Sequence, residues 1–178
     1  PVTTEIALGD DAYAATLKAF YEQSVERLLQ HALSGLDVEV LCEGDPFLYG
    51  SFMHLHRRLI DHVPVQVVPG ITGMSGCWTA SGTPITYGDD VLHVVPATLD
   101  EAQLCQAMQG ADALVVMKLG RNLPKVRRAL QTVGLAERAV YVEHGTMAQQ
   151  QVMPLADKRD DDAPYFSMIL VHGQGRRP

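Results

Sequence analysis

The sequence predicts an α/β protein of two lobes, and three observations carry that prediction. Short apolar runs, four of them ending in a glycine-bearing loop, alternate with stretches whose apolar residues recur at helical spacing. Such alternation is the pattern of strands joined by covering helices in largely parallel sheets. The pattern restarts after the connector Gly82-Thr83-Pro84-Ile85-Thr86, which divides the chain into lobes at 1–85 and 86–178. Finally, 47% apolar and 20% charged residues in a chain of 178 are enough to fill the cores that two small lobes need.

The elements follow in order. Asp10 and Asp11 offer a cap for a helix along which Tyr13, Leu17, Phe20, Val25, Leu28 and Ala32 recur, and Gly35 can end it. Residues 37–42 (DVEVLC) are expected as a short buried strand, 48–60 as a helix, 65–68 as a strand and the small-residue stretch 72–81 as a helix. In the second lobe the strands fall at 91–95, 113–118 and 139–143, with helices at 99–108 and 123–133 and Gly134 ending the latter. Residues 152–154 and 165–172 form the last strand pair, antiparallel and joined by the acidic loop 157–162. The expected outcome is a largely parallel first sheet and a mixed second one.

Composition narrows the function. A net charge of -7 argues against general nucleic-acid binding, and no apolar run approaches the length of a membrane span. The three cysteines, Cys42, Cys77 and Cys105, form no CxxC pair, and the opening residues show no basic start followed by an apolar stretch. A cytoplasmic protein with structural thiols is expected, Cys42 and Cys77 among them. His54 and His56 stand two apart on a helix and do not share a face, so no metal site is expected. His144 is expected to pack or hydrogen-bond.

In open α/β sheets ligands lie outside the carboxyl ends of the strands, so the chemistry is sought there. The first such end is Cys42-Glu43-Gly44-Asp45-Pro46-Phe47-Leu48-Tyr49-Gly50. Gly44 permits close approach of the main chain, and Asp45 can accept from amides or from a ligand hydroxyl. Alone, this triplet equally describes an ordinary turn with an Asp cap. The second end, Val68-Pro69-Gly70-Ile71-Thr72-Gly73-Met74, would present a helix N-terminus, or else allow tight helix–sheet packing. The third is Met117-Lys118-Leu119-Gly120-Arg121-Asn122, and the fourth is Glu143-His144-Gly145-Thr146-Met147. Neither a Walker A sequence nor a GxGxxG fingerprint is present.

Taken together and in register, EGDPFLYGS, VVPGITGMSGCWTASGTPIT, VVMKLGRN and VEHGTM resemble the four conserved blocks of the tetrapyrrole methylase family. The resemblance runs from the first residue to about His172. Its members methylate uroporphyrinogen and precorrins with S-adenosylmethionine. PVTTE, LCEGDPFLYGSFMHLHRRL, MKLGRNLPKVRRAL and PYFSMILV are most similar to the branch that methylates precorrin-2 at carbon 20. The counterpart acting on the cobalt-loaded ring shares that pattern. The resemblance implies two α/β lobes, a cofactor in the cleft between them, and a homodimer. It implies cofactor contacts from Glu43, Gly44, Asp45, Leu48, Thr72, Gly73, Met117, Gly145 and Thr146, mostly through the main chain.

The sequence departs from the family at its start. A first strand and a GxGPGD-type loop are missing, so the first lobe is expected to be incomplete, and no general base is assigned. A methylase for another ring position or for a non-tetrapyrrole substrate, and a catalytically dead fragment that only binds a partner or a tetrapyrrole, are the alternatives to an active C(20)-methyltransferase. Methyl transfer from a sulfonium needs alignment and exclusion of water rather than a protein nucleophile. A substrate rich in carboxylates needs cations, and the densest cluster is Lys118, Arg121, Lys125, Arg127 and Arg128. Lys118, Arg121, Asn122 and Lys125 are the candidate substrate ligands, with Asn122 also able to cap the helix that begins there. A solvated helix face is the competing reading for Lys125, Arg127 and Arg128.

Overall fold

The computed structural model describes residues 11–175, so the cap expected at Asp10 and the opening PVTTE lie outside the described residues. The chain forms two compact units that divide between Thr72 and Gly73.

In the first unit, helix α1 (Asp11–Leu33) is closed by Gly35, whose φ of 87° is open to glycine without a steric penalty. The Leu36 amide donates back to the His31 carbonyl across that turn. The helix packs on α2 (Phe52–Leu59) through Tyr21, whose ring lies 4.8 Å from that of His54 with the Arg58 guanidinium 5.8 Å from its centroid. Of the expected 48–60 helix only Phe52–Leu59 forms, because Tyr49 adopts a left-handed φ of 54° and breaks the helical path before it.

The strands expected at 37–42 and 65–68 are not formed: among the described residues no strand precedes Leu92. Both segments lack a ladder partner, and an alternating apolar pattern makes a strand only when its amides and carbonyls pair. Leu41 and Val68 are accordingly exposed, and so is Cys42, which was expected to be buried. A largely parallel first sheet is therefore absent from the described residues.

The second unit holds α3 (Gly73–Ala80) and a five-stranded sheet. Its strands are β1 (Leu92–Pro96), β2 (Ala113–Met117), β3 (Ala139–Glu143), β4 (Gln151–Pro154) and β5 (Ser167–Val171). Their order is β1-β2-β5-β3-β4, with β1 and β2 parallel and every other pair antiparallel. The mixed sheet is as expected, but β4 and β5 are not neighbours: β5 inserts between β2 and β3. The acidic loop thus connects strands on opposite sides of β3 rather than closing a hairpin.

Alternation along the strands sorts the core into two faces. Leu114, Val116, Ala139, Tyr141, Ile169 and Val171 point toward helices α4 (Glu101–Met108) and α5 (Leu123–Thr132). Ala113, Val115, Val142 and Leu170 point toward α3, meeting Cys77 with Met74 and Trp78 beside it. Helix α3 packs on this sheet, whereas a lobe division at 85/86 would assign it to the first lobe. Helix α4 starts with a reciprocal capping box, in which the Gln103 amide donates to Asp100 Oδ1 at 2.8 Å and the Asp100 amide to Gln103 Oε1 at 3.2 Å. Asn122 does not cap α5: it lies in a 3-10 turn (Gly120–Asn122) in right-handed helical conformation, so its side chain is turned away from the helix amides.

Much of the basic cluster braces this unit. Arg127 donates to the carbonyls of Leu155 (3.1 Å), Lys158 (2.6 Å) and Asp160 (3.1 Å) and pairs with Asp161 at 3.0 Å, pinning the 155–161 loop to α5. Lys125 Nζ donates to the Leu99 carbonyl at 2.5 Å and to Asn122 Oδ1 at 3.2 Å. Arg128 pairs with Glu101 between α5 and α4. The Lys158 ammonium bonds Asp160 and holds its carboxyl below the usual carboxylate range. Arg127→Ala should therefore cost on the order of 2–3 kcal/mol, since it strands acceptors of a charged group. Arg128→Ala, removing an exposed pair, should cost about 0.2–1 kcal/mol. Urea denaturation of both variants checks the contrast, and equal losses would contradict the bracing role of Arg127.

Candidate active site

Three of the four candidate loops share one physical peculiarity. Tyr49, Lys118, His144 and Thr146 are the non-glycine residues with positive φ among the described residues, and each lies in one of these loops. A left-handed backbone costs an L-residue roughly 1–2 kcal/mol, and such strain persists where surrounding structure enforces it, commonly at functional sites.

In the first unit the first two loops are clasped together. Asp45 Oδ1 accepts from the Phe47 amide at 2.9 Å, closing an Asx turn, and Oδ2 accepts from the Gly70 amide at 3.1 Å. The main chains come so close that a Cβ on Gly70 would overlap the Gly44 carbonyl. Asp45 is thus engaged with backbone on both oxygens, the turn-building role that its sequence also allowed. Glu43 and Gly44 remain exposed beside it, with Gly44 at a φ of 80° and Leu48 partly buried.

In the second unit, sheet register brings the third and fourth loops to one end. Pro96 faces Met117, and Glu143 faces both Ser167 and Gln151, so the carboxyl ends of β1, β2 and β3 and the amino ends of β4 and β5 form a single rim. Met117, Lys118 and Arg121 stand on this rim with His144, Gly145 and Thr146. Helix α3 joins them from one face: Gly76 and Gly73 bear no side chain where Thr146 and Met168 come near, and Gly145 packs on Cys77. A Cβ at Gly145 would lie 3.0 Å from Cys77 Sγ, which explains glycine at that position by packing. Burial pushes the Cys77 thiol up, keeping it a neutral core group. Of the basic cluster, Arg121 is exposed and makes no hydrogen bond or ion pair among the described residues.

The rim also holds a polar group that sequence reasoning does not single out. Tyr141 and Glu143 sit two apart on β3 and so share a face, and the Tyr141 hydroxyl donates to Glu143 Oε2 at 2.7 Å. Burial, reinforced by this carboxylate, pushes the Tyr141 phenol up. Gln151 Nε2 donates to Glu143 Oε1 at 3.4 Å, and His144 Nδ1 lies 3.5 Å from the same oxygen. The exposed rings of Tyr165 and Phe166 stand beside them, 5.1 Å apart, with Phe166 6.2 Å from the His144 ring. Period-two spacing on a strand was the available signal for the Tyr141–Glu143 pair; the Tyr165–Phe166 placement depends on where β5 inserts.

Comparison with known proteins agrees with this architecture. Residues 3–157 match the family of Tetrapyrrole (Corrin/Porphyrin) Methylases. The chain is 53% identical over 178 residues to a precorrin-2 C(20)-methyltransferase of Sinorhizobium sp, covering 100% of this chain and 73% of that protein. It is 44% identical over 177 residues to the cobalamin biosynthesis protein CobIJ of Mycobacterium tuberculosis, covering 99% of this chain and 35% of that longer protein. Against the cobalt-precorrin-2 C(20)-methyltransferase of Salmonella typhimurium the identity is 28% over 92% of this chain and 70% of the relative. Among solved structures, the methyltransferase CobJ aligns with a TM-score of 0.67 at 22% identity, covering 86% of this chain and 72% of that one. A uroporphyrin-III C-methyl transferase from Thermus thermophilus complexed with S-adenyl homocysteine aligns with a TM-score of 0.63 at 25% identity, covering 84% and 72%. The chain belongs to the tetrapyrrole methylases.

Proposed function

We propose that the protein methylates precorrin-2 at carbon 20 with S-adenosylmethionine as donor, a step of cobalamin biosynthesis. The observation that carries this reading is the 53% identity to the Sinorhizobium enzyme, which extends over the whole chain. Identity to the Salmonella enzyme acting on the cobalt-bearing ring falls to 28%, which favours the metal-free substrate. Among the described residues no helix is long and apolar enough to cross a membrane, in keeping with a cytoplasmic enzyme. A homodimer is part of the same reading.

When bound, the cofactor supplies an electrophilic sulfonium methyl, so the protein's task is to hold and to align. The cofactor ligands in this reading are Glu43, Gly44, Asp45, Leu48, Thr72, Gly73, Met117, Gly145 and Thr146. Glycine at 44 and 73 lets the main chain approach without a side chain, and Asp45 acts through the loop it clasps. Thr146, exposed and left-handed, offers its hydroxyl oxygen as an acceptor, its amide being taken by Gln150 Oε1 and its hydroxyl proton by the Gly145 carbonyl. Lys118 and Arg121 take the substrate carboxylates, while Lys125 and Asn122 act by shaping the turn that carries Arg121. Alignment of a carbon with the methyl in a site that excludes water is the main source of rate for such a transfer.

Labelled adenosylmethionine and precorrin-2 should give a single methyl on the bridging carbon 20, located by carbon NMR. A label on a pyrrole carbon would exclude this reading and leave only the family. Arg121→Ala should weaken tetrapyrrole binding by roughly tenfold or more, a lost charge-assisted bond being worth about 1.5–3 kcal/mol, while cofactor affinity stays unchanged. Calorimetry with each ligand separates these, and equal loss of both would give Arg121 a structural role.

A further inference from the structure

His144 is an anomaly in an otherwise satisfied rim. Its Nδ1 is buried and has no hydrogen-bond partner, and no other side-chain nitrogen or oxygen among the described residues is so placed. Buried polar atoms are nearly always bonded, so an exception asks for a reason. The ring also sits on a left-handed backbone with a φ of 49°, fixed by its amide donating to the Phe166 carbonyl at 2.8 Å.

The nearest acceptor for Nδ1 is Glu143 Oε1 at 3.5 Å. That carboxylate cannot swing away. Tyr141 holds its other oxygen at 2.7 Å, and Gln151 approaches Oε1 itself at 3.4 Å. The pair is too long and too far off line for a hydrogen bond, yet a negative charge 3.5 Å away favours a proton on Nδ1 over a lone pair, which leaves Nε2 to accept. A carboxylate beside the imidazole, short of hydrogen bonding in the ligand-free protein, is a neighbourhood that favours histidine as a base. Two ionisable groups pack on its neighbours: Cys77, buried beneath Gly145, and Lys158, which lies 5.2 Å from the Tyr141 ring centroid and bonds Asp160. Neither is a competing acceptor, since burial keeps the thiol protonated and Lys158 is cationic.

Resting on the reaction assigned above, we propose that His144 takes up the proton that the tetrapyrrole loses on methylation, with Glu143 and Tyr141 as positioning residues. The transfer forms a carbon–carbon bond at carbon 20 and breaks the bond between sulfur and methyl, the sulfur keeping the electron pair. The ring then carries one proton in excess. It passes to Nε2 of His144 and from there to water, leaving a neutral methylated ring. The exposed faces of Tyr165 and Phe166, beside the imidazole, give the macrocycle a surface to rest on within its reach.

The test uses the full-length protein. In the ligand-free wild type, nitrogen-15 NMR should find neutral His144 as the Nδ1–H tautomer; an Nε2–H tautomer would overturn the dyad whatever the reaction. With precorrin-2 and adenosylmethionine, His144→Gln should lower kcat by roughly 10²–10⁴-fold, the range for general acid–base catalysis. It should also abolish the fall in rate seen as acid protonates the base, with both dissociation constants within threefold of wild type. Glu143→Gln should lower kcat less and keep that acid limb. A His144→Gln enzyme within threefold of wild type in kcat, or one whose loss is matched by lost binding, would refute the base. Failure of the wild type to methylate carbon 20 would instead refute the assigned reaction, and the tautomer would then judge the dyad alone.

Discussion

Because β5 runs antiparallel between β2 and β3, the carboxyl ends of both outer strands meet the amino end of the inserted one. The remainder of the second unit depends on that constraint. Ile169, Leu170 and Val171 are fully buried and supply side chains to both faces, so the strand joins the α4–α5 core to the α3 core. Removing it would leave β2 and β3 with unpaired edges and two apolar faces uncovered. The same insertion gathers Met117, Glu143 and Ser167 at one rim, and thereby the loops that follow β2 and β3. The site is therefore a consequence of the sheet order, and core stability and site geometry are maintained by the same contacts.

The strain in the rim fits this view. Lys118, His144 and Thr146 each hold a left-handed backbone directly after a buried strand. A loop free to relax would not keep three such residues, at roughly 1–2 kcal/mol each. Here the anchors are visible: the His144 amide on the Phe166 carbonyl, the Thr146 amide on Gln150 Oε1 at 2.7 Å, and the Met147 amide on the His144 carbonyl at 2.9 Å. Local bonds thus fix where the peptide groups point before any ligand arrives, which lowers the reorganisation that binding would otherwise require.

The second unit is largely legible in the sequence because its strands are continuous apolar runs buried on both faces. ALVVM and AVYVE announce themselves without any knowledge of neighbours. The first unit shows the converse. DVEVLC has the alternation of a strand, yet alternation records which side chains could be buried, and pairing partners decide whether they are. The insertion of β5 was hidden for a related reason. Strand order is a property of contacts far apart in sequence, and local period carries no trace of it. Among site residues, the loops were readable from glycine and charge, whereas the individual roles were not. Loop placement sets Arg121 apart from Arg127 in the sequence, but only three-dimensional neighbours show that Arg127 braces a loop through four acceptors, whereas Arg121 has none among the described residues.

That division of the basic cluster bears on how an acidic chain handles an acidic ligand. With a net charge of -7, the protein as a whole repels a polycarboxylate, so attraction must be local and short in range. Had Lys125, Arg127 and Arg128 all been free on α5, the patch would have invited any anion. Instead Arg127 and Arg128 pair with Asp161 and Glu101, Lys125 donates to the Leu99 carbonyl and Asn122 Oδ1, and the three hold the frame from which Arg121 projects. In the function proposed above, Arg121 on its rigid turn, with Lys118, would select carboxylates by position, whereas a cluster of free cations would bind many ligands indiscriminately. Discrimination among tetrapyrroles that differ little in net charge requires the former arrangement.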